Sequence, residues 1–178
     1  MFTLVVGGAA SGKSEYAEQL ILRAGALPRY YVATMEPFGA EALARIARHR
    51  VLRAQKRFET IECPVGLSRV LLPARGAALL ECLSNLAANE LYSPAGAGGE
   101  QAALAAVVDG VESLRRQCEA LVVVTGEVFS GGSAYAGDTG TYLRVLAAAN
   151  RALAARADAV CEVACGLPRY YKGEGAAL

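Results

Sequence analysis

Residues 7–14 read Gly7-Gly8-Ala9-Ala10-Ser11-Gly12-Lys13-Ser14, a complete G-x4-G-K-S motif that follows the apolar run Phe2–Val6. Glycines let such a loop wrap closely around phosphates, so that backbone N–H groups and the N-terminus of the next helix point at the anion. The lysine of this motif reaches the β- and γ-phosphates, and the serine hydroxyl takes a Mg²⁺ position. The sequence therefore predicts a nucleoside triphosphate site in which Lys13 binds phosphate and Ser14 binds Mg²⁺.

Outward from this phosphate loop, short apolar runs alternate with longer segments of helical period. The predicted strands are Phe2–Val6, Tyr30–Thr34, Phe58–Glu62, Ala77–Cys82, Leu121–Thr125 and Ala159–Cys165, and the predicted helices cover 13–24, 40–56, 65–72, 83–91, 100–118 and 139–156. Apolar strands separated by helices indicate a mostly parallel sheet covered on both faces. We therefore predict a three-layer α/β sandwich, a single domain over residues 1–173, with Leu167–Lys172 as an edge strand and a loose tail at 174–178.

The composition restricts the class of function. The 178 residues include 18 Lys+Arg and 17 Asp+Glu, carry a net charge of +1 and are 54% hydrophobic. Such balanced charge lacks the basic field of nucleic-acid-binding proteins, and the apolar content is too high for a disordered chain. No apolar run reaches the roughly 18 to 20 residues of a membrane span, and the N-terminus lacks the basic region of a signal peptide. We expect a cytoplasmic protein that binds neither nucleic acid nor membrane.

The cysteine pattern argues against a disulfide framework. The chain has an odd number of them at irregular spacings: Cys63, Cys82, Cys118, Cys161 and Cys165. The last two share a predicted strand, which would place their α-carbons roughly 13 Å apart on one face. That separation is too long for one disulfide or one metal ion, so we expect both to be buried thiols.

Three glutamates follow predicted strands. Glu62, Glu81 and Glu127 would lie at the carboxyl edge of the sheet, where ligands of open α/β sheets bind. Magnesium at a phosphate loop usually needs such an acid in addition to the serine. Glu81, flanked by apolar neighbours, is the preferred metal ligand, although a solvated loop carboxylate is an alternative for each of the three.

The single histidine, His49, lies in an arginine-rich predicted helix with Arg45 and Arg53 four residues away on either side. A cationic field lowers the imidazole pKa and keeps the ring neutral and nucleophilic. A ring so placed could attack an α-phosphate and expel pyrophosphate. The local sequence alone, however, favours a basic helix face with an incidental histidine.

The combination of motifs changes that interpretation. The motifs are the phosphate loop, Tyr31-Val32-Ala33-Thr34, Arg45-Ile46-x-x-His49-x-x-x-Arg53, Phe58-x-Thr60-x-Glu62, Leu79-Leu80-Glu81-Cys82, Thr125-x-Glu127-Val128, Asn150 and Ala157-Asp158. In this order they resemble the bifunctional adenosylcobinamide kinase/adenosylcobinamide-phosphate guanylyltransferase family of cobalamin biosynthesis, nearly end to end. The histidine block is the most specific part, because the phosphate loop is shared by a vast superfamily.

The resemblance implies a P-loop fold of the RecA-like kind. It implies that adenosylcobinamide is phosphorylated with ATP or GTP, and that GMP is then transferred from GTP to adenosylcobinamide phosphate through a guanylylated histidine. His49 matches the GMP carrier. Nucleotide contacts are implied for residues 7–14, Ala33, Thr34, Met35, Arg50, Val51, Leu52, Arg53, Glu62 and Glu81, and a homo-oligomer, typically a trimer, is implied as well.

The chain also departs from the family pattern. Arg48 stands where many members have a second histidine, Gly126 replaces an asparagine, and the late helix keeps only Asn150 of an Arg-Asp-x-x-Gly-Arg-x-Asn-Gln segment. These differences leave open a P-loop small-molecule kinase that lacks guanylyltransferase activity. A non-catalytic, nucleotide-dependent switch is a further alternative, and it has no need of His49.

Overall fold

A computed structural model describes residues 1–36, 56–128 and 137–173 of the chain. The strands are β1 (Phe2–Gly7), β2 (Arg29–Ala33), β3 (Phe58–Glu62), β4 (Gly76–Glu81), β5 (Cys118–Gly126), β6 (Ala159–Ala164) and β7 (Leu167–Lys172). The helices are α1 (Lys13–Ala24), α2 (Leu83–Tyr92), α3 (Glu100–Gln117) and α4 (Gly137–Arg156). None of the described helices is both long enough and apolar enough to cross a bilayer.

The strands form a single sheet in the order β3-β2-β4-β5-β1-β6-β7. All neighbouring pairs are parallel except β6 and β7, which are antiparallel. At the carboxyl ends, Gly7 of β1 pairs with Gly126 of β5, and Ala33 of β2 pairs with Glu81 of β4 on one side and Glu62 of β3 on the other. The parallel arrangement therefore brings the phosphate loop and the glutamates to one edge of the sheet.

The central strands β1, β4 and β5 are buried on both faces. Consecutive residues of a strand point to opposite sides, so each strand contributes to two cores. Leu4 and Leu80 contribute to a core beneath α2, α3 and α4, whereas Val5 and Leu79 contribute to a second core beneath α1. Each fully buried aliphatic side chain of this kind contributes roughly 1.5–3 kcal/mol to folding. The three-layer α/β sandwich is confirmed, and so is the edge strand Leu167–Lys172.

The predicted helix at 65–72 is wrong. Only one 3-10 turn, Leu67–Arg69, forms there, between Gly66 at φ 68° and an extended Val70. Leu67 is fully buried against α3, Val70 and Leu72 are only partly buried, and Leu71 is 83% exposed, so the segment has no continuous apolar helical face. Apart from Lys56, the predicted helix at 40–56 lies outside the described residues, as does the tail at 174–178.

The expectation that Cys161 and Cys165 are both buried in one strand is also wrong. β6 ends at Ala164, and Cys165 lies beyond it, exposed, with φ 52°. Together with Gly166 at φ 79°, Cys165 forms the tight turn that reverses the chain into β7. Cys161 is buried as expected, and all five cysteines are free thiols.

Candidate active site

The phosphate loop connects β1 to α1 and packs against the end of β6. A Cβ added at Gly7 would lie 2.8 Å from the Val163 carbonyl oxygen, and one added at Gly12, where φ is 89°, would lie 3.0 Å from the Cα of Gly166. The Gly166 N–H donates a hydrogen bond of 2.8 Å to the Ser11 carbonyl. The end of β6 and the β6–β7 turn therefore pack directly against the loop. This close approach requires glycine at positions 7 and 12.

The other side of the loop is open. A Cβ at Gly8 would meet no atom within 4 Å, Ala9 and Ala10 are exposed, and Ala10 has φ 55°, a sparsely populated conformation that recurs at ligand sites. Lys13 Nζ folds over the loop and donates to the Gly8 carbonyl at 2.9 Å. The buried Ser11 hydroxyl has no hydrogen-bond partner among the described residues. A cradle with a cation and an unsatisfied buried hydroxyl fits a bound phosphate.

Glu81 at the end of β4 reaches across β5 to the start of α1. Its Oε1 accepts a hydrogen bond of 2.5 Å from the Ser14 hydroxyl, and its Oε2 accepts one of 2.7 Å from the Tyr31 hydroxyl. A hydroxyl and a carboxylate at one point supply the hard oxygen ligands that Mg²⁺ prefers. The residues present thus fit a magnesium ion that accompanies a triphosphate.

Thr34 fixes the ends of β2 and β4 relative to each other. Its buried hydroxyl donates to the Cys82 carbonyl at 2.8 Å and accepts from the Cys82 N–H at 2.7 Å. Asn89 of α2 donates to the Thr34 carbonyl at 2.8 Å and to the Pro64 carbonyl at 3.0 Å. The Thr34 side chain therefore anchors the residue that follows Glu81. The sequence does not indicate this role of Asn89, because its two partners lie on distant segments of the chain.

Cys82 is unsuited to act as a nucleophile. Burial raises the pKa of its thiol, a hydrogen bond with the Asn85 backbone and the Lys13 ammonium oppose this only in part, and the charge of Glu81 adds to the rise. A thiol must lose its proton to react as a nucleophile. Of Glu81 and Cys82, Glu81 is therefore the candidate site residue.

The remaining predicted residues surround this centre in part. Glu62 is exposed at the end of β3, Met35 is half-buried just after β2, and the N–H of Glu127 donates to the Gly7 carbonyl at 3.0 Å. The structure thus brings the phosphate loop, Glu81, Glu62 and Glu127 to one edge. His49 and its neighbours Arg48, Arg50, Val51, Leu52 and Arg53 lie outside the described residues.

The departure at Gly126 has a packing explanation. A Cβ there would lie 2.9 Å from the Ser84 hydroxyl, which accepts a hydrogen bond of 2.8 Å from the Gly126 N–H. On the preceding residue, the Thr125 hydroxyl donates to the Asn150 side-chain oxygen at 2.8 Å. Asn150, the residue retained in the late helix, therefore links α4 to the end of β5, which pairs with β1 just before the phosphate loop.

Comparisons with known proteins agree with this architecture. A family model described as "Cobinamide kinase / cobinamide phosphate guanyltransferase" matches residues 3–170. "Bifunctional adenosylcobalamin biosynthesis protein CobP" of Pseudomonas aeruginosa is 31% identical over 179 residues, with 98% of this chain and 99% of that protein covered. "Bifunctional adenosylcobalamin biosynthesis protein CobU" of Salmonella typhimurium is 32% identical over 180 residues, with 94% and 97% covered.

The chain also aligns with a solved structure. A crystal structure of the RadB recombinase aligns with a TM-score of 0.47 and 18% identity, over 90% of this chain and 73% of that one. The family match spans nearly the whole chain, including the phosphate loop and Glu81. The chain therefore belongs to the cobinamide kinase/cobinamide phosphate guanyltransferase family.

Proposed function

We propose that this protein phosphorylates adenosylcobinamide with ATP or GTP and then transfers GMP from GTP to adenosylcobinamide phosphate, giving adenosylcobinamide-GDP. The observation that carries the proposal is the 2.5 Å contact between Ser14 and Glu81 beside a complete phosphate loop, in a chain of this family. A nucleoside triphosphate with its metal ion fits that arrangement, and both proposed steps consume a nucleoside triphosphate.

In the kinase step, the chain acts by positioning and charge neutralisation. The loop N–H groups and Lys13 bind the phosphates, and the Lys13 ammonium exchanges its bond to the Gly8 carbonyl for phosphate oxygens. Ser14 and Glu81 would hold Mg²⁺, which supplies neutralisation of phosphate charge when it is bound. The γ-phosphoryl group is thereby held for attack by the corrinoid hydroxyl.

In the transfer step, we assign the GMP carrier to His49. A ring nitrogen of His49 attacks the α-phosphorus of GTP; a P–N bond forms, and the P–O bond to pyrophosphate breaks. An oxygen of adenosylcobinamide phosphate then attacks the same phosphorus, and the P–N bond breaks. Arg50 and Arg53 neutralise the triphosphate, and Glu62 at the end of β3 accepts from the guanine N–H edge. The family resemblance supports these assignments.

The test is an intact-protein mass spectrum after incubation with GTP and Mg²⁺, with wild type and His49→Ala compared. We expect one added GMP on the wild type only, while His49→Ala still phosphorylates adenosylcobinamide. Continued GMP transfer by His49→Ala would refute the carrier assignment. Corrinoid phosphorylation by the wild type without any protein-bound GMP or GMP transfer would instead favour a kinase that lacks the second activity.

We further propose that the protein is a cytoplasmic homo-oligomer, a trimer, as the family resemblance implies. Subunit association would bring residues of a neighbour towards the carboxyl edge of the sheet, where the second substrate must reach the nucleotide. Light scattering after size-exclusion chromatography tests the assembly. A mass three times that of the 18.5 kDa chain is expected, and a monomer at working concentration would refute it.

A further inference from the structure

Glu81 is held from two sides, by groups of different kinds. Oε1 faces the Ser14 hydroxyl of α1, and Oε2 faces the hydroxyl of Tyr31 on the neighbouring strand β2. The Ser14 side is half-buried and adjoins the phosphate loop, whereas Tyr31 is only 3% exposed. One carboxylate oxygen is therefore directed at the nucleotide region and the other at a buried donor.

The Tyr31 hydroxyl has little freedom to move. Its ring meets Phe58 of β3 edge-on, with centroids 6.1 Å apart and planes at 85°. The same side chain belongs to the core beneath α1, with Val5, Ala17 and Leu79 among its members. A ring packed on several sides is confined to one rotamer. Its hydroxyl thus forms a fixed donor at 2.7 Å from Oε2.

We propose that Tyr31 is a positioning residue for the nucleotide-associated magnesium site. Its hydroxyl immobilises Oε2 by a charge-assisted hydrogen bond and thereby keeps Oε1 beside Ser14. Without this bond the Glu81 carboxylate would rotate, and the paired oxygen ligands would be lost for part of the time. This inference rests on the proposed function, because it assumes that Ser14 and Glu81 receive Mg²⁺ together with a triphosphate.

Tyr30 provides a matched control on the same strand. It is 1% exposed, lies in the other core, and its hydroxyl accepts a hydrogen bond of 3.1 Å from the Ala74 N–H. Tyr30→Phe and Tyr31→Phe each remove one buried, hydrogen-bonded hydroxyl without changing the ring. Only the second loses a contact to Glu81, so the pair separates a general cost of removing a hydroxyl from an effect on the site.

The experiment measures the affinity of each variant for a fluorescent GTP analogue, in Mg²⁺ and in EDTA, by direct titration. We expect Mg²⁺ to tighten binding by wild type and Tyr30→Phe equally. The gain is the ratio of the Kd in EDTA to the Kd in Mg²⁺. In Tyr31→Phe this ratio should fall about tenfold, while the Kd in EDTA changes less than twofold. Combining Tyr31→Phe with Glu81→Gln should add little to the loss caused by Glu81→Gln alone, because both substitutions disrupt the same hydrogen-bonded pair.

The outcomes separate this inference from the proposed function. A wild type that fails to bind the analogue, or binds it without dependence on Mg²⁺, would refute the triphosphate–metal site and the role of Tyr31 with it. A normal wild type together with an unchanged Mg²⁺ gain in Tyr31→Phe would refute the positioning role alone. Equal losses in Tyr30→Phe and Tyr31→Phe would also refute it, since the effect would then be one of packing.

Discussion

Lys13 lies at the beginning of α1 with its ammonium group over the phosphate loop, 2.9 Å from the Gly8 carbonyl. Lys13→Ala removes the cation that the proposed function assigns to the triphosphate, and we expect nucleotide affinity to fall at least tenfold, or about 1.4 kcal/mol. The free energy of unfolding should change by less than about 0.5 kcal/mol, because the residue is not in a core. Nucleotide titration and urea unfolding of the variant measure the two quantities.

The control for that variant is Lys172→Ala. Lys172 donates to the carbonyls of Ala154 and Ala155 near the end of α4. Lys172→Ala therefore also removes an ammonium group that donates hydrogen bonds to backbone carbonyls. We expect its nucleotide affinity to equal that of the wild type. Equal affinities for Lys13→Ala and Lys172→Ala would contradict the placement of phosphate in this loop.

Among the described residues, Cys165 is the one exposed thiol, in the turn between β6 and β7. Burial raises the pKa of Cys63, Cys82, Cys118 and Cys161, which lowers their reactive thiolate fraction at neutral pH. We expect a maleimide reagent to modify one thiol rapidly at pH 7.5, and Cys165→Ser to abolish that phase. A rapid phase that persists in Cys165→Ser would show that another thiol opens to solvent.

Which single residues a sequence identifies depends on whether their partners are local. The phosphate loop could be predicted because its residues are consecutive, and Glu81 because parallel strands end at one edge. The contact with Tyr31 could not, since it depends on the register of β2 against β4, in which Tyr31 pairs with Leu79. The metal ligand itself, and the roles of His49 and Glu62, stay predictions.

At the scale of elements, Gly110 decides how α3 meets the turn at Leu67–Arg69. A Cβ on Gly110 would lie 2.7 Å from the Leu67 Cβ. Alanine favours a helix by about 1 kcal/mol over glycine, but overpacking a core typically costs 1–3 kcal/mol. We expect Gly110→Ala to lower the free energy of unfolding by about 1 kcal/mol net, measured by urea denaturation.

The matched test adds Leu67→Gly to the same protein, because only glycine lacks the Cβ that the new methyl group would meet. The double variant should therefore be less destabilised than the sum of the two single variants. Additive losses would contradict a direct clash. An increase in stability for Gly110→Ala alone would show that the helix has space there.

The wrongly predicted helix at 65–72 is explained by its two ends and by the burial of Leu67 against Gly110. The segment 65–72 has enough apolar residues for a short helix, yet Gly66 starts it in the left-handed region and Pro73 ends it. Only Leu67 finds a deep site, next to a glycine 43 residues away in the sequence. Elements with continuous apolar faces, such as β1 and α3, could be predicted because the spacing of their apolar residues along the sequence matches the observed burial.

At the scale of the whole molecule, the fold class could be predicted from apolar strands that alternate with helices. The strand order could not, because no local pattern states that β5 lies between β1 and β4. That order places the width of one strand between the phosphate loop and Glu81, which the contact from Glu81 to Ser14 spans. The distance across the site is therefore a property of the topology rather than of either motif.

The stability of the whole molecule should fall in alkali because of its buried thiols. Burial raises the pKa of Cys63 and Cys161 to about 11 and that of Cys118 to about 12, against 9.0 in the unfolded chain. A raised pKa means that the folded state keeps protons that the unfolded state loses, so stability is complete below pH 9 and declines above it. Each thiol should cost about 1 kcal/mol by pH 10. The measurement is the drop in the free energy of unfolding between pH 7 and pH 10, obtained by urea denaturation. This drop should be about 1 kcal/mol smaller for Cys118→Ala than for wild type, and the same as wild type for the control Cys165→Ala. Equal drops in all three proteins would contradict a contribution from the buried thiol.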